Sequence, residues 1–384
     1  MPNNWKTYKL GDIADFGYGK MPKKNLLNTG VYPAFSGYRK VGMYPEKNCE
    51  KGDVIVVARG VGGTGDVKLT KFDCFLTNIS IRIGLNENIC SNNYFYYKYL
   101  RTTLRFLRTG SAQPQITIND LKSLDVSLPL LPEQKAIASI LSSIDHKIEN
   151  NLAMNLTLEE MAMALYKHWF VDFGPFQDGK FVDSELGEIP EGWEVKTIGD
   201  VAQVNKRSLK KDHNYSEINY IDISSVGTGL VESYNTIAAD KAPSRAKRIL
   251  KDGDIVWSTV RPTRRSYFLA LGFPENTVVS TGFAVISPVK VPYAYLYPLT
   301  FTVSFVDYLD SRSTGAAYPA VTGKVFEQAK IIVPDSEILN EYSEIVSVYY
   351  KKISLNLEEN QTLIEQRDYL SPKLISGEVR VNKI

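Results

Sequence analysis

With 384 residues and 43% apolar side chains, the chain is too long for one ordinary core and too apolar for disorder, and it fits two domains plus connecting elements. No run of about 18 apolar residues occurs and the Met1–Trp5 start lacks the basic and apolar regions of a signal peptide, so neither a membrane span nor secretion is expected, and the chain is expected to be cytoplasmic. The formal net charge of +2 neither demands nor excludes a polyanionic partner; Cys49, Cys74 and Cys90 are irregularly spaced and far from His146, His168 and His213, so no metal site is expected and ordinary reduced thiols are.

In chain order, Trp5 precedes an amphipathic stretch containing Leu10-Gly11-Asp12-Ile13-Ala14. Strand-like runs broken by glycine follow at Asp53–Ala58, Cys74–Ile83 and Val126–Leu128, with an aromatic-rich helix predicted over 94–107. Pro129 and Pro132 close the last strand, and a long proline-free helix is predicted next. Its apolar positions alternate by four and three: Ile137, Leu141, Ile144, Ile148, Asn151, Asn155, Leu158, Ala162, Leu165 and Trp169, the spacing of a coiled-coil seam. Val171 to Trp193 is rich in turn formers yet holds apolar anchors, which predicts an ordered connector. The second half offers strands at Tyr220–Ile223, Asp254–Ser258, Thr277–Ile286 and Ile331–Val333, a helix over 293–309, and a second long helix after Pro334.

The halves are related. Trp5, Leu10, Gly11, Asp12, Ile13 and Ala14 recur as Trp193, Ile198, Gly199, Asp200, Val201 and Ala202, an offset of 188. Thr109-Gly110-Ser111-Ala112, Pro114 and Thr117 recur as Thr314-Gly315-Ala316-Ala317, Pro319 and Thr322, an offset of 205, so the second copy carries an insertion between its landmarks. A period near 200 marks duplicated domains rather than stacked short repeats. Adding 205 to the seam gives Tyr342, Val346, Tyr349, Ile353, Asn356, Asn360, Leu363, Arg367, Leu370 and Leu374, so both asparagines return in register. A polar residue in a seam costs stability and fixes register. If the helices run antiparallel, Asn151 faces Asn360 and Asn155 faces Asn356.

The expected fold is mixed α/β (α+β): two similar domains separated by two long helices forming an antiparallel coiled coil, with a pseudo-two-fold axis. The boundaries are 1–131 for the first domain, 132–170 for the first helix and 171–192 for the connector; 193–334 is the second domain, 335–376 the second helix and 377–384 a tail. A helix of about 38 residues spans roughly 57 Å, against about 34–36 Å between adjacent major-groove half-sites, so the helices are expected to act as a ruler.

These features together, with the Leu186-Gly187-Glu188-Ile189-Pro190-Glu191-Gly192-Trp193 connector, the twin Trp-x-x-x-x-[Leu/Ile]-Gly-Asp-[Ile/Val]-Ala openings, the Pro132-Glu133-Gln134-Lys135 helix entry and the Thr-Gly-Ser/Ala-Ala segments, resemble the DNA-specificity subunit of Type I restriction-modification systems over nearly the whole chain. The second helix entry departs from the pattern, with Pro334-Asp335-Ser336-Glu337 in place of Pro-Glu-Gln. The resemblance implies a non-catalytic subunit whose two target-recognition domains each read one half-site of a bipartite double-stranded DNA target. It implies that the helices recruit two methyltransferase subunits, with restriction subunits joining the full complex. No cofactor is implied here: S-adenosylmethionine, for adenine N6 methylation, and ATP belong to the partners. An adaptor or inhibitor that binds such subunits without reading DNA stays open.

Enzyme motifs are missing from the sequence. Gly60, Gly62 and Gly65 match G-x-G-x-x-G, but the strand-like Val67–Ile83 follows instead of the helix that would hold a pyrophosphate. There is no Walker-type phosphate loop, no adenine-methyltransferase Asp/Asn-Pro-Pro-aromatic motif and no nuclease core lysine after Pro334-Asp335-Ser336-Glu337. No catalytic residue is expected.

Candidate DNA contacts are the basic and loop residues. In the first copy they are Lys20, Lys23, Lys24, Ser36, Tyr38, Arg39 and Lys40, the glycine-rich turn with Arg59, Gly62 and Thr64, and Gln113 and Gln115 around Pro114. In the second they are Lys206, Arg207, Lys210, Lys211, Arg245, Arg248, Arg261, Thr263, Arg264, Arg265 and Tyr318. Arginine suits phosphate or guanine, glutamine suits adenine N6 and N7, and tyrosine can stack or meet phosphate. Plain turns and solvated charged surface are the rival reading of the same residues.

Overall fold

The computed structural model describes residues 5–60, 63–110, 113–210 and 213–381. They fall into two compact units, Met1–Asn150 with Asn360–Ile384, and Asn151–Glu359.

In the first unit, a four-stranded antiparallel sheet has the order Ala14–Tyr18, Ser80–Leu85, Val54–Val57 and Val67–Leu69. Every residue of Val54–Val57 is buried, as a central strand covered on both faces must be. A three-stranded sheet orders Arg39–Tyr44, Tyr32–Ser36 and Phe75–Leu76. Lys6–Lys9 pairs with Asp125–Leu128 at the base of the domain. The second unit repeats this plan: Ala202–Val204, Phe283–Pro288, Asp254–Ser258 and Tyr267–Ala270 form the main sheet, and Glu194–Thr197 pairs with Lys330–Val333. Lys9 faces Asp125 and Thr197 faces Lys330, so the two sequence offsets, 188 and 205, reappear as one strand pair present in both copies. The insertion is also placed. Ala58 and Thr259, the residues just past the central strands that bond the repeated loops, already stand 201 apart, and between the first strand and the central one the second copy adds Ala246–Ile249 as the edge of a four-stranded sheet with Thr277–Ser280, Glu217–Ile221 and Asn235–Ala238.

Several expected elements are divided. Cys74–Ile83 is two strands, Phe75–Leu76 and Ser80–Leu85, in different sheets; Thr277–Ile286 likewise divides into Thr277–Ser280 and Phe283–Pro288. The turns fall at Asn78–Ile79 and Thr281–Gly282, polar and glycine signals that sit between short β-rich stretches buried on both sides. The helix predicted over 94–107 ends at Leu100, Thr103 takes a left-handed φ of 52°, and a 3-10 turn Arg105–Leu107 follows. The one over 293–309 is two helices, Tyr293–Thr300 and Val303–Ser311, the second capped by Thr302, whose hydroxyl accepts from Phe305 N at 3.3 Å.

The long helices span Leu131–Phe170 and Ser336–Ser376. In the first unit Ile137, Ala138 and Leu141 join Leu374 in the domain core, and Asp145 accepts from Arg367 Nη1 at 2.9 Å, so the segments run antiparallel. The Pro-Glu-Gln entry has a physical reason. Gln134, with no exposed surface, donates to the Ile89 and Pro129 carbonyls at 2.8 and 2.9 Å and accepts from Ser91 N at 3.0 Å, satisfying three buried backbone groups. In the second unit Phe170 packs on Tyr342 and Tyr295 with centroids 4.8 and 4.9 Å apart, and Trp193 closes over Phe170, Phe173 and Phe176. The connector forms a hairpin, Phe181–Ser184 with Gly187–Pro190.

No seam position is exposed in either unit. Asn356 Nδ2 donates to Asn155 Oδ1 at 2.7 Å, whereas Asn151 Nδ2 donates to Glu359 Oε2 at 2.8 Å; Asn360 is buried and belongs to the other unit. Asn155→Leu alone is expected to strand a buried amide and lower stability by about 2 kcal/mol, and Asn155→Leu with Asn356→Leu to recover most of that loss in urea unfolding. Equal loss in single and double variants would contradict the pairing.

Beside this pair on the first helix, Glu159 faces Tyr267, Tyr297 and Tyr350, and burial pushes its carboxyl up to about 7. Between about pH 4.5 and 7 the unfolded chain releases this proton before the folded one, so stability falls as pH rises through that window and stays lower above it. Glu159→Gln is expected to match the parent near pH 4.5 and to exceed it above pH 7 by about 1–2 kcal/mol, solvent at the partly exposed carboxyl softening the penalty. Chemical denaturation at the two pH values measures it.

Candidate nucleic-acid interface

Each central strand delivers the chain to one clamp. In the first unit Thr109 and Gln115 exchange backbone hydrogen bonds of 2.9 and 3.0 Å, Arg59 bridges Gln115, and Ile116 N reaches Ala58 O at 2.8 Å. In the second unit Thr314 and Ala320 exchange two bonds of 2.9 Å, Val260 bridges Ala320, and Val321 N reaches Thr259 O at 2.8 Å. The repeated glycine closes both loops: Gly110 and Gly315 have φ of 83° and 99°, where a side chain is strained, and a Cβ would lie 3.0 Å from the carbonyl of Gln113 or Tyr318. The Thr-Gly repeat of the sequence is therefore a turn held by backbone, which leaves its outward side chains free to differ. Ser111 and Ala112 lie outside the described residues.

On the first frame Arg59, Gln113 and Gln115 are exposed. The hairpin turn carrying Tyr38 joins them, because Gly63 admits the Tyr38 ring where a Cβ would meet its Cε2 at 2.3 Å. Tyr38 donates to Asp66, and Lys68 sits 3.4 Å from the ring centroid; burial first, and the Asp66 bond second, hold the phenol above its ordinary range. Tyr38 is thus anchored, with Arg39 and Lys40 exposed beside it. Ser36 is half-buried at a strand end. Lys20, Lys23 and Lys24 are exposed; Lys20 N bonds Leu76 O at 2.9 Å just past the strand Ala14–Tyr18. Thr64 is a correction: 1% exposed, its hydroxyl donates to Gly60 O at 2.6 Å, so it shapes the turn and cannot reach a ligand. Gly62 lies outside the described residues.

On the second frame Arg261 and Arg265, both left-handed at φ 50° and 53°, bracket the turn Pro262–Arg264. Such a conformation costs a non-glycine residue on the order of 1 kcal/mol and persists only where neighbours enforce it. Here Arg261 N bonds Pro319 O at 2.7 Å, its Nη2 donates to Ala317 O at 3.1 Å, and its guanidinium stacks 4.6 Å from the Tyr318 ring. Arg265 O accepts from Thr228 Oγ1 at 3.0 Å. Thr263 and Arg264 are exposed, and Tyr318 is 70% exposed. Arginine, tyrosine and strained turn converge on one edge.

The other basic candidates of this half have different surroundings. Arg207 is a correction: its Nη2 bonds the buried Asp254 and Ser287 Oγ, the latter at 2.9 Å, so its charge is spent inside the fold. Arg248 is half-buried in an edge strand, its Nε is buried without a partner, and burial draws its pKa below the ordinary arginine value. Arg245 is exposed but paired with Asp222. Lys206 and Lys210 are exposed, Lys206 on a shallow hollow with Lys324, Glu327 and Gln328. Lys211 lies outside the described residues.

Two basic residues escaped the sequence reading. Arg105 pairs with Asp66 at 3.1 Å beside Tyr38, and Arg108 is exposed immediately before the clamped Thr109. Their signal was adjacency to the repeated Thr-Gly, echoed by Arg312 before Thr314.

Arg207→Ala is expected to destabilise by about 3 kcal/mol, because Asp254 would keep a buried charge without its partner; Arg264→Ala is expected to shift stability by less than about 0.5 kcal/mol. Thermal or urea unfolding that ranked the two in reverse would contradict these assignments.

A family model described as Type I restriction modification DNA specificity domain matches residues 2–160 and 190–365. The chain is 26% identical over 419 residues to the Type I restriction enzyme MjaIX specificity subunit of Methanocaldococcus jannaschii, across 100% of this chain and 95% of that protein. It is 24% identical to the Type I restriction enzyme HindI specificity subunit of Haemophilus influenzae, across 98% and 100%. Among solved structures it is similar in fold to the Type-I restriction-modification system S subunit from M. genitalium, with a TM-score of 0.66 at 18% identity, covering 100% of this chain and 98% of the other.

Proposed function

The chain belongs to the Type I restriction modification DNA specificity family, and we propose that it reads a bipartite DNA target, one half-site per domain, as the specificity subunit of a Type I restriction-modification complex. One observation carries this reading: both units present the same backbone clamp with unlike exposed side chains, Arg59, Gln113 and Gln115 on one, Thr263, Arg264 and the Arg261–Tyr318 stack on the other. Two half-sites of different sequence need that combination. Backbone amides and flanking cations meet phosphates and set position, while glutamine and arginine at base edges select sequence.

In this reading the chain performs no chemistry. Two methyltransferase subunits dock along the helices, where Leu152, Leu156, Val348 and Leu355 are exposed, and restriction subunits complete the complex. Those partners bind S-adenosylmethionine and ATP. The complex acts in the cytoplasm; among the described residues no helix is long and apolar enough to cross a membrane.

In the assembled complex, Arg264→Ala is expected to weaken binding to the target duplex by about 1–3 kcal/mol and to relax selectivity in one half-site only. Competition binding with duplexes altered in each half-site reads both. Equal weakening on every sequence would make Arg264 a phosphate anchor, and parent binding indifferent to both salt and sequence would refute DNA reading altogether.

A further inference from the structure

Two of the three cysteines meet across strands. Cys49 and Cys74 form an antiparallel bridge in which each backbone N–H bonds the other's carbonyl, at 3.1 and 2.9 Å. A hydrogen-bonded pair of this kind holds its Cα atoms about 5.5 Å apart, inside the span of about 4.4–6.8 Å that a disulfide requires. Both are free thiols, 1% and 2% exposed, packed with Ile55 and Leu76. They lie one layer below solvent, because Glu50, Lys51, Lys71 and Phe72 on the flanking turns are exposed.

The thiols are unequal. The hydrogen bond from Cys49 draws the Cys74 pKa below the ordinary thiol range, against burial and the nearby Asp53 and Asp73 charges. The same bond, then burial, raises Cys49. Asp53 Oδ2, 3.5 Å from Cys49 Sγ, is an alternative acceptor for that single proton. Cys74 is therefore the first nucleophile and Cys49 the resolving thiol, with Asp53 placed to receive its proton. Cys90 differs: it lies in the main core with no exposed surface, and burial pushes its thiol up to about 12.

We propose that Cys49 and Cys74 are a redox-reactive pair that closes into a reversible cross-strand disulfide, fastening the segment between them, which holds the central strand and the Arg59 turn. The oxidant is a low-molecular-weight disulfide. Cys74 thiolate attacks one of its sulfurs, forming a mixed disulfide and expelling one thiolate. Cys49, losing its proton to Asp53, then attacks Cys74 Sγ and expels the second. Two protein thiols and one small disulfide become one protein disulfide and two small thiols, with the two released protons taken up by the leaving thiolates. The pairing stands independently of DNA reading; only the consequence for the Arg59 turn rests on it.

The test incubates the full chain with excess oxidised glutathione at mildly alkaline pH, then alkylates it under denaturing conditions and maps the peptides. The expected product has lost two hydrogen masses, joins Cys49 to Cys74, carries Cys90 alkylated, and reverts with dithiothreitol. Its thermal midpoint should rise by about 5 °C, a rise absent from Cys49→Ser. Recovery of Cys49 and Cys74 both alkylated, or of glutathione left on either, overturns the proposal.

Discussion

The domains depend on a pair of backbone hydrogen bonds closed between residues six apart, Thr109 with Gln115 and Thr314 with Ala320, and locked to the end of the central strand. Amide and carbonyl groups supply this clamp, so it makes no demand on side chains other than the glycine at its bend. Function can then be varied without refolding anything: Gln113 and Tyr318 occupy equivalent outward places with entirely different chemistry. Below the clamp the opposite holds. The central strands are buried throughout and the pairs at the domain base repeat in register, because a one-residue slip there would turn every apolar side chain to the wrong face.

The same division explains what was legible in the sequence. Repetition exposed the twin openings, the Thr-Gly segments and the long helices as related pieces, but that the openings pair with the last strands and that the Thr-Gly segments close a backbone clamp are non-local facts only the fold supplies. The β-rich stretches beginning at Cys74 and Thr277 each cover buried strands of two sheets, and the short turns between them, Asn78–Ile79 and Thr281–Gly282, are too brief to separate them by pattern. Among candidate contacts, Arg261 and Tyr318 were read from composition, and the fold brings them into one stack. Arg207 and Thr64 were read in the same way, and the fold turns both inward. Asp254, the partner of Arg207, lies 47 residues away, and nothing local announces a buried ion pair at that separation. The capture of Thr64 by Gly60 O is local, but it follows from a turn geometry that glycine permits without dictating.

The long helices carry two kinds of constraint along one seam. Aliphatic and aromatic contacts supply cohesion, and the Asn155–Asn356 bond supplies a position, since only one register lets the two amides meet. Two polar atoms of that pair, Asn155 Nδ2 and Asn356 Oδ1, are buried without partners. The pairing thus gives up stability for a defined alignment, which suits helices whose ends must hand the chain accurately to domain strands.

Leu374 in the first unit's core, with Arg367 on Asp145 and Arg380 on Glu133, has a temporal consequence. The first unit is built from the start of the chain and from residues beyond 359, whereas the second is drawn wholly from what lies between. On the ribosome the later domain can finish before the earlier one, and Ile137 and Leu141 must wait for a covering segment translated about 12–47 s afterwards at elongation rates of about 5–20 residues per second. Until then the nascent chain presents an apolar helix face, an opening for chaperones and a hazard of premature association.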